Sequence, residues 1–265
     1  MLKVALTIAG SDSSGGAGIQ ADLKTFSAFG VFGTSAITAL TAQNTLGVLS
    51  IVDLDPRFVA SQIEAVMDDL PVAAAKTGML SRTEIIEAVA EAVREWSIPN
   101  LVVDPVMVAA SGDLLLSPGA VAAMREHMFP LAAVVTPNLR ETEILLGREV
   151  VSDPAAMRKA ARDLVHISGA RAALITGGAL EGDALDVLFD GHEIHEFSAP
   201  RRGARAHGAG CTLSAAIAAG LAQGDSLIEA IDAAKRYVSR AIEESPGLGH
   251  GSRPLNHLVP VTRKT

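Results

Sequence analysis

Short apolar runs rich in β-branched residues recur along the chain at 4–8, 35–40, 73–76, 101–103, 133–135 and 172–175, continuous rather than alternating. Strands apolar on both faces belong inside a mainly parallel sheet covered by helices on both sides. Segments of helical period separate them, and several carry start signals. Asp55-Pro56, Ser117-Pro118 and Asp153-Pro154 place a capping side chain before a proline, while Ser81…Glu84 and Ser226…Glu229 fit the capping box. The pattern predicts helices over 56–69, 81–95, 118–127, 154–168 and 226–244. One stretch breaks the rhythm: residues 184–189, Asp190-Gly191 and 193–197 predict a β-hairpin with a two-residue turn, forming an antiparallel edge. No long linker, low-complexity tract or repeat divides the 265 residues, so a single doubly wound α/β domain over 1–265 is expected.

Composition narrows the class. Hydrophobic residues make up 49% and charged residues 20%, with 24 Gly and 12 Pro, which suits a close-packed body with many turns and excludes a disordered or fibrous chain. The net charge of −8 and the absence of basic clusters interleaved with aromatics argue against nucleic acid and for small-molecule chemistry. The lone cysteine cannot form an internal disulfide, and the start Met1-Leu2-Lys3-Val4 turns polar within a few residues. A cytoplasmic protein without a membrane segment is expected.

The chemistry concentrates at Ala206-His207-Gly208-Ala209-Gly210-Cys211-Thr212, a glycine-punctuated turn running into a helix of small apolar residues. Gly208 and Gly210 let successive N–H groups converge, and the positive end of the helix dipole lies at the same point, an arrangement suited to an anion. Cys211 at the helix mouth would there be favoured as a thiolate; the plainer reading is a tight turn before a buried helix with Cys211 as a small core residue.

Ligands of open parallel sheets bind beyond the carboxyl ends of the strands. After the first strand comes Gly10-Ser11-Asp12-Ser13-Ser14-Gly15-Gly16-Ala17-Gly18. Gly16-x-Gly18-x-x-Ala21 lacks the acidic residue of a dinucleotide fingerprint, and Lys24-Thr25 lacks the glycine of a P-loop. Asp22 falls inside the apolar arc of Ile19, Leu23, Phe26 and Phe29; its partner is a loop N–H or a polar group of a substrate, and both readings stay open. Gln43-Asn44 are turn residues, or an amide suited to a heterocycle. Lys76-Thr77-Gly78-Met79 and Asp104-Pro105-Val106-Met107 follow strands; Lys76 reads as a snorkelling or capping lysine and Met79 as a core filler when taken alone. Asp104 sits where a magnesium-bound triphosphate needs a hard oxygen ligand. Asn138 caps a helix, but Glu141, three residues on, is not explained by capping and adds a second carboxylate. Thr176-Gly177-Gly178 closes another strand, as a plain turn or as a place where nucleotide lies on the backbone. The seven histidines form no zinc pattern, since His192-x-x-His195 lacks a third ligand, and no G-x-S-x-G elbow is present. An anion cradle, two carboxylates and nucleotide-permissive turns fit phosphoryl transfer, which is mostly positioning and charge neutralisation.

From Ala9 to Lys24, and through Thr41-Ala42-Gln43-Asn44-Thr45, Lys76-Thr77-Gly78-Met79, Asp104-Pro105-Val106-Met107, Gly249-His250-Gly251 and Asn256-His257, the chain resembles the hydroxymethylpyrimidine and phosphomethylpyrimidine kinases of thiamine biosynthesis. These form a branch of the ribokinase-like superfamily that also holds pyridoxal kinases. The resemblance implies a three-layer α/β/α kinase using ATP and Mg2+, acting on hydroxymethylpyrimidine and then its monophosphate, as a homodimer. It implies that Asp22, Gln43 and Met79, with Gly10 and Val106, line the pyrimidine site. Asn138, Thr176 and Gly178 would meet ATP, Asp104 and Glu141 the metal. Gly208, Ala209, Gly210 and Cys211 would form the anion hole, with Cys211 taking the hydroxyl proton. Departures are Ala206 and Ala209 where the family carries threonines, residues 201–205 in place of a threonine-bearing approach, and Thr176 where many members carry lysine. The alternatives are a pyridoxal or pyridoxine kinase and a catalytically weak pyrimidine-binding protein.

Overall fold

Buried parallel strands form the centre of the computed structural model, which describes residues 2–107, 116–117, 119–150, 153–177, 182–200 and 206–262. In chain order come β1 (Val4–Asp12), α1 (Gly18–Ala28), β2 (Phe32–Asn44), β3 (Gly47–Asp53), α2 (Pro56–Asp69), β4 (Val72–Thr77), α3 (Thr83–Glu95), β5 (Leu101–Val103) and α4 (Ala120–Ala123). There follow β6 (Val134–Val135), α5 (Leu139–Leu146), α6 (Pro154–Ser168), β7 (Ala173–Gly177), β8 (Ala184–Phe189), β9 (Ile194–Ala199), β10 (Ala206–His207), α7 (Ala209–Gln223), α8 (Leu227–Glu243) and β11 (Arg253–Pro254). The main sheet runs β3-β2-β1-β4-β5-β6-β7-β8-β9. Strands β2, β1, β4, β5, β6 and β7 are mutually parallel; β3 pairs antiparallel with β2 at one end, and at the other β8 pairs antiparallel with both β7 and β9. The antiparallel edge was expected at one side; both sides carry one.

Alternate side chains of each central strand feed opposite layers, as strand geometry requires. Leu6, Ile8, Val103 and Val135 pack with Val59 and Ile63 of α2 and Ile86 and Val89 of α3. Ala5, Ala74, Val102 and Leu174 face the other way, against Phe26 of α1, Ala215 and Ala219 of α7 and Tyr237 of α8. The alanines of α7 let that helix lie close over the sheet, which brings its first turn to the carboxyl ends of the strands.

The helix signals are borne out where the cap can form. Asp55 accepts from the Arg57 N–H, Asp153 from those of Ala155 and Ala156, and Ser226 with Glu229 closes a capping box. Ser81 does not cap α3: the N-cap is Arg82, and the Ser81 hydroxyl instead donates to Asp53 Oδ1 at 2.5 Å. Nor does Ser117 cap the helix expected over 118–127. Pro118 lies outside the described residues, α4 starts from Gly119, and after four residues it widens into a π turn over Met124–Met128. The connection of β8 and β9 is not a two-residue turn. It spans 190–193, because Asp190 Oδ1 accepts the N–H groups of both His192 and Glu193 and holds four residues in the bend. Gln43 and Asn44, with turn as one reading, end the long strand β2. The pattern missed β3, whose Leu49, Ile51 and Val52 are exposed, so no one-sided burial marks it. No described helix is long and apolar enough to cross a membrane.

Candidate active site

The first turn of α7 and the carboxyl ends of β1, β2, β4, β5 and β6 enclose one cavity. Gly10, Gln43, Met79 and Val106 line it, and so do Asp104, Asn138, Glu141 and Thr176. Gly208, Ala209, Gly210 and Cys211 close its other side. Gly178 and residues 201–205 lie outside the described residues.

Gly208 sits at φ 85°, and a Cβ there would lie 1.9 Å from the carbonyl oxygen of Gly16. Only glycine allows the helix to start against that loop. Helical hydrogen bonding begins with the Thr212 N–H on Gly208 O at 2.9 Å, so the N–H groups of Ala209, Gly210 and Cys211 precede any acceptor within α7, and all three residues line the cavity. The glycine spacing predicted an anion cradle at this turn; of its two glycines only Gly208 takes a positive φ.

Behind the cradle, loop and helix are locked together. Asp12 Oδ2 accepts from His207 Nε2 at 2.8 Å, from the Ala17 N–H at 2.8 Å and from the Gly16 N–H at 3.1 Å. Burial alone would raise the Asp12 carboxyl, but hydrogen bonds from His207, Ser14 and Ala17 hold it well below the usual carboxylate range. His207 Nε2 is also 3.5 Å from Gln43 Nε2, so this cluster reaches the amide at the end of β2.

Asp22 corrects an expectation. It does not line the cavity but lies beneath it, fully buried, accepting from Lys76 Nζ at 2.9 Å on both oxygens and from Thr7 Oγ1 at 2.6 Å. Lys76 is a cavity residue rather than a snorkelling one. Burial works against its ammonium, but the Asp22 carboxylate, with Asp104, holds the Lys76 pKa above the ordinary lysine value. Cys211 is corrected as well. Burial pushes its thiol up to about 12, Asp104 and Asp22 add to that, and Lys76 with the Gly18 N–H opposes it too weakly, so the resident form is the thiol and not a thiolate.

Asp104 and Glu141 meet across the strand ends. Ser214 Oγ donates to Asp104 Oδ2 at 3.0 Å, and Val106, held at φ 39° where a β-branched residue is strained, directs its N–H at the same carboxylate. Glu141 is explained by capping after all: Asn138 Oδ1 accepts the Glu141 N–H while Glu141 Oε2 accepts the Asn138 N–H, each at 3.0 Å, and Oε1 takes the Met107 N–H. Burial, and then the Asp104 charge, raise Glu141 to about 7. Asp104 and Glu141 thus offer two carboxylates to one cavity, hard-oxygen donors of the kind a divalent cation takes.

Residues 12–256 match the family model described as phosphomethylpyrimidine kinase. The chain belongs to this family. It is accordingly a kinase, and its fold is ribokinase-like. A hydroxymethylpyrimidine/phosphomethylpyrimidine kinase of Rhizobium meliloti (strain 1021) is 53% identical over 262 residues, covering 97% of this chain and 98% of that protein. Among solved structures, the phosphomethylpyrimidine kinase of Clostridium difficile 630 aligns with a TM-score of 0.81 at 42% identity, over 91% of this chain and 99% of that one. The ADP complex of Bacillus subtilis pyridoxal kinase aligns with 0.89 at 40% identity, over 97% and 98%.

For this family member the sequence reading missed Asp12 and His207 as a linked pair, although each is the titratable residue of a glycine-rich segment. It missed Ser214 and Thr136 too, which no motif distinguishes from core residues.

Proposed function

We propose that this kinase transfers the γ-phosphoryl group of ATP to the hydroxymethyl oxygen of 4-amino-5-hydroxymethyl-2-methylpyrimidine, and then a second phosphoryl group to the monophosphate, in thiamine biosynthesis. The observation that carries the reading is the set of cradle amides, Ala209 to Cys211, facing the same cavity as Gln43 and Met79. A flat ring held by Gln43, Met79, Gly10 and Val106 would present its oxygen toward α7. As that oxygen bonds to phosphorus, the bond from phosphorus to the β–γ bridging oxygen breaks, ADP leaves with the electron pair, and the hydroxyl proton departs to solvent. The cradle amides stabilise charge on the transferred group, a kind of contribution worth about 2.7–4 kcal/mol per donor in other enzymes. Asn138 and Thr176 would hold the nucleotide. Asp104 and Glu141 would hold Mg2+, which neutralises the outer phosphates when bound.

Cys211, on the cavity wall beside the cradle, would orient the acceptor hydroxyl or take its proton; a loose phosphoryl-transfer transition state needs little base. Cys211→Ser is expected to lower kcat more than it raises KM; unchanged turnover would remove Cys211 from the reaction. A homodimer in the cytoplasm, acting as one domain over 1–265, completes the proposal.

Likeness to a pyridoxal kinase with a TM-score of 0.89 supports a second reading, pyridoxal phosphorylation. Purified protein with Mg·ATP and the pyrimidine, its monophosphate or pyridoxal, followed by ADP formation, separates the two. Turnover on the monophosphate supports the thiamine reading; turnover on pyridoxal alone supports the other; binding without ADP makes the protein a binder that has lost the chemistry with Ala206 and Ala209.

A further inference from the structure

We propose that His257, acting through the Thr212 hydroxyl, is a positioning residue for phosphoryl transfer that sets the direction of the Ala209 N–H; the proposal rests on the cradle reading of the turn into α7. His257 and Thr212 are both buried, and neither lines the cavity. Thr212 Oγ1 lies 2.8 Å from Gly208 O and 3.0 Å from His257 Nε2. Two oxygens that close need a proton between them, and a carbonyl has none to give, so the Thr212 hydroxyl donates to Gly208 O. With that proton spent, His257 Nε2 is the donor to Oγ1, which fixes the imidazole in its Nε2–H form. Burial, and then the Lys24 charge, push this imidazole down to about 4, so the donor is a neutral ring at pH 7.

The relay ends on the peptide that carries the first cradle donor. Gly208 O accepts the Thr212 N–H at 2.9 Å as well as the Thr212 hydroxyl, so this carbonyl is held along α7. The Gly208–Ala209 peptide is trans, and in a trans peptide the C=O and the following N–H share a plane and point opposite ways. A carbonyl held along the helix therefore sends the Ala209 N–H out past the first turn, and Ala209 lines the cavity. The hold matters at this peptide because Gly208, at φ 85°, has the backbone freedom to let it rock.

The brace is itself anchored from behind by α8. Tyr237 Oη donates to His257 O at 2.9 Å, and the Asn256 N–H to Ala241 O at 3.0 Å. Leu255 and Val259 are buried in the same layer as Tyr237. Arg253 and Pro254 of β11 pair with Ala206 and His207 of β10, so the segment 253–259 grips the turn at two places.

The experiment compares His257→Leu, His257→Gln, Thr212→Val, Thr212→Ser and the Thr212→Val, His257→Leu double with wild type. Melting temperature, kcat and KM with Mg·ATP, and calorimetric Kd for the acceptor and for Mg·AMP-PCP are measured, the acceptor being the pyrimidine or pyridoxal, whichever wild type phosphorylates. His257→Leu and Thr212→Val should each lower kcat by at least about tenfold while both Kd values stay within about threefold. His257→Gln, whose amide is again a neutral donor, and Thr212→Ser, which keeps the hydroxyl, should stay within about threefold of the wild-type kcat. Thr212→Val strands the buried Nε2–H and should melt early; the double, apolar on both sides, should regain melting temperature without regaining kcat. A double that recovers both would reduce the pair to packing and overturn the proposal. So would a His257→Leu kcat within about twofold of wild type, or a loss that falls on KM alone. Gly208→Ala in the same assay tells the failures apart: an unchanged kcat there removes the cradle reading with the proposal, while a lowered kcat beside an unaffected His257→Leu removes the proposal alone. Wild type that phosphorylates neither acceptor overturns the proposed function and this proposal together.

Discussion

His207 Nε2 lies 2.8 Å from Asp12 Oδ2, joining two residues 195 positions apart and fastening the loop after β1 to the turn that starts α7. Two walls of the cavity, the loop after β1 and the turn into α7, are thereby tied to each other. Preorganisation of this kind matters because displacement by about 1 Å at a reacting centre costs about a hundredfold in rate. His207→Ala should therefore lower kcat by at least about tenfold while leaving the Kd for the pyrimidine within about threefold, and should cost about 1–3 kcal/mol of stability. Steady-state kinetics beside calorimetry tests the split; equal losses in both would reduce His207 to a folding role.

Asp12 carries a pH signature of the same contact. Its carboxyl is held below the ordinary 3.8, so the unfolded chain binds the extra proton first and stability contributed by Asp12 is complete above that value. That contribution is lost as pH falls through the folded value. Urea unfolding of wild type and Asp12→Asn from pH 7 to 3 should show a stability gap that narrows on acidification. A gap independent of pH would mean the carboxylate's charge is not what stabilises the loop.

The Lys76–Asp22 pair is buried on both sides, which makes single substitutions costly. Lys76→Met or Asp22→Asn should each lose about 3–5 kcal/mol, because the remaining partner is stranded without water, and a paired Lys76→Met, Asp22→Leu protein should recover most of it. Denaturant titrations of the two singles and the double measure this. Asp22→Asn should melt early yet bind the pyrimidine normally while folded; selective loss of pyrimidine affinity with intact stability would return Asp22 to the cavity wall.

Gly208→Ala places a methyl group 1.9 Å from Gly16 O at a positive φ. The helix start must then withdraw from the loop, and kcat should fall by at least about tenfold with a lowered melting temperature. Activity within about twofold of wild type would show that the cradle tolerates displacement.

Glu141 gives the opposite pH trend to Asp12. Its pKa rises from 4.5 to about 7 on folding, so the native state binds the proton more tightly than the unfolded chain, and stability falls as pH rises from about 4.5 to about 7 before levelling. The size is about 3 kcal/mol. Glu141→Gln should flatten that slope in melting temperatures taken from pH 4 to 8; a slope that persists would assign it to other groups.

Much of this protein was legible along the chain. Continuous apolar strands in β1, β4, β5 and β7 announce a buried parallel sheet, because neither face meets water. Asp55-Pro56 and Ser226…Glu229 announce helix starts, because their caps are satisfied within four residues. Gly208 announces the tight turn into α7, because only glycine permits a positive φ against the Gly16 carbonyl.

What the chain alone could not decide depends on partners distant in sequence. Asp22 was read as facing a loop N–H or a substrate group, and its partner is neither but Lys76, 54 residues away. The Cys211 thiol is pushed up by burial and by Asp104 and Asp22, residues far from it in sequence. Glu141 was at once a cap and a cavity carboxylate, which local spacing treats as alternatives. Local rules act through the backbone within a few residues; the charge state of a buried group is set by whatever the fold packs around it, and only the tertiary structure assembles that surrounding.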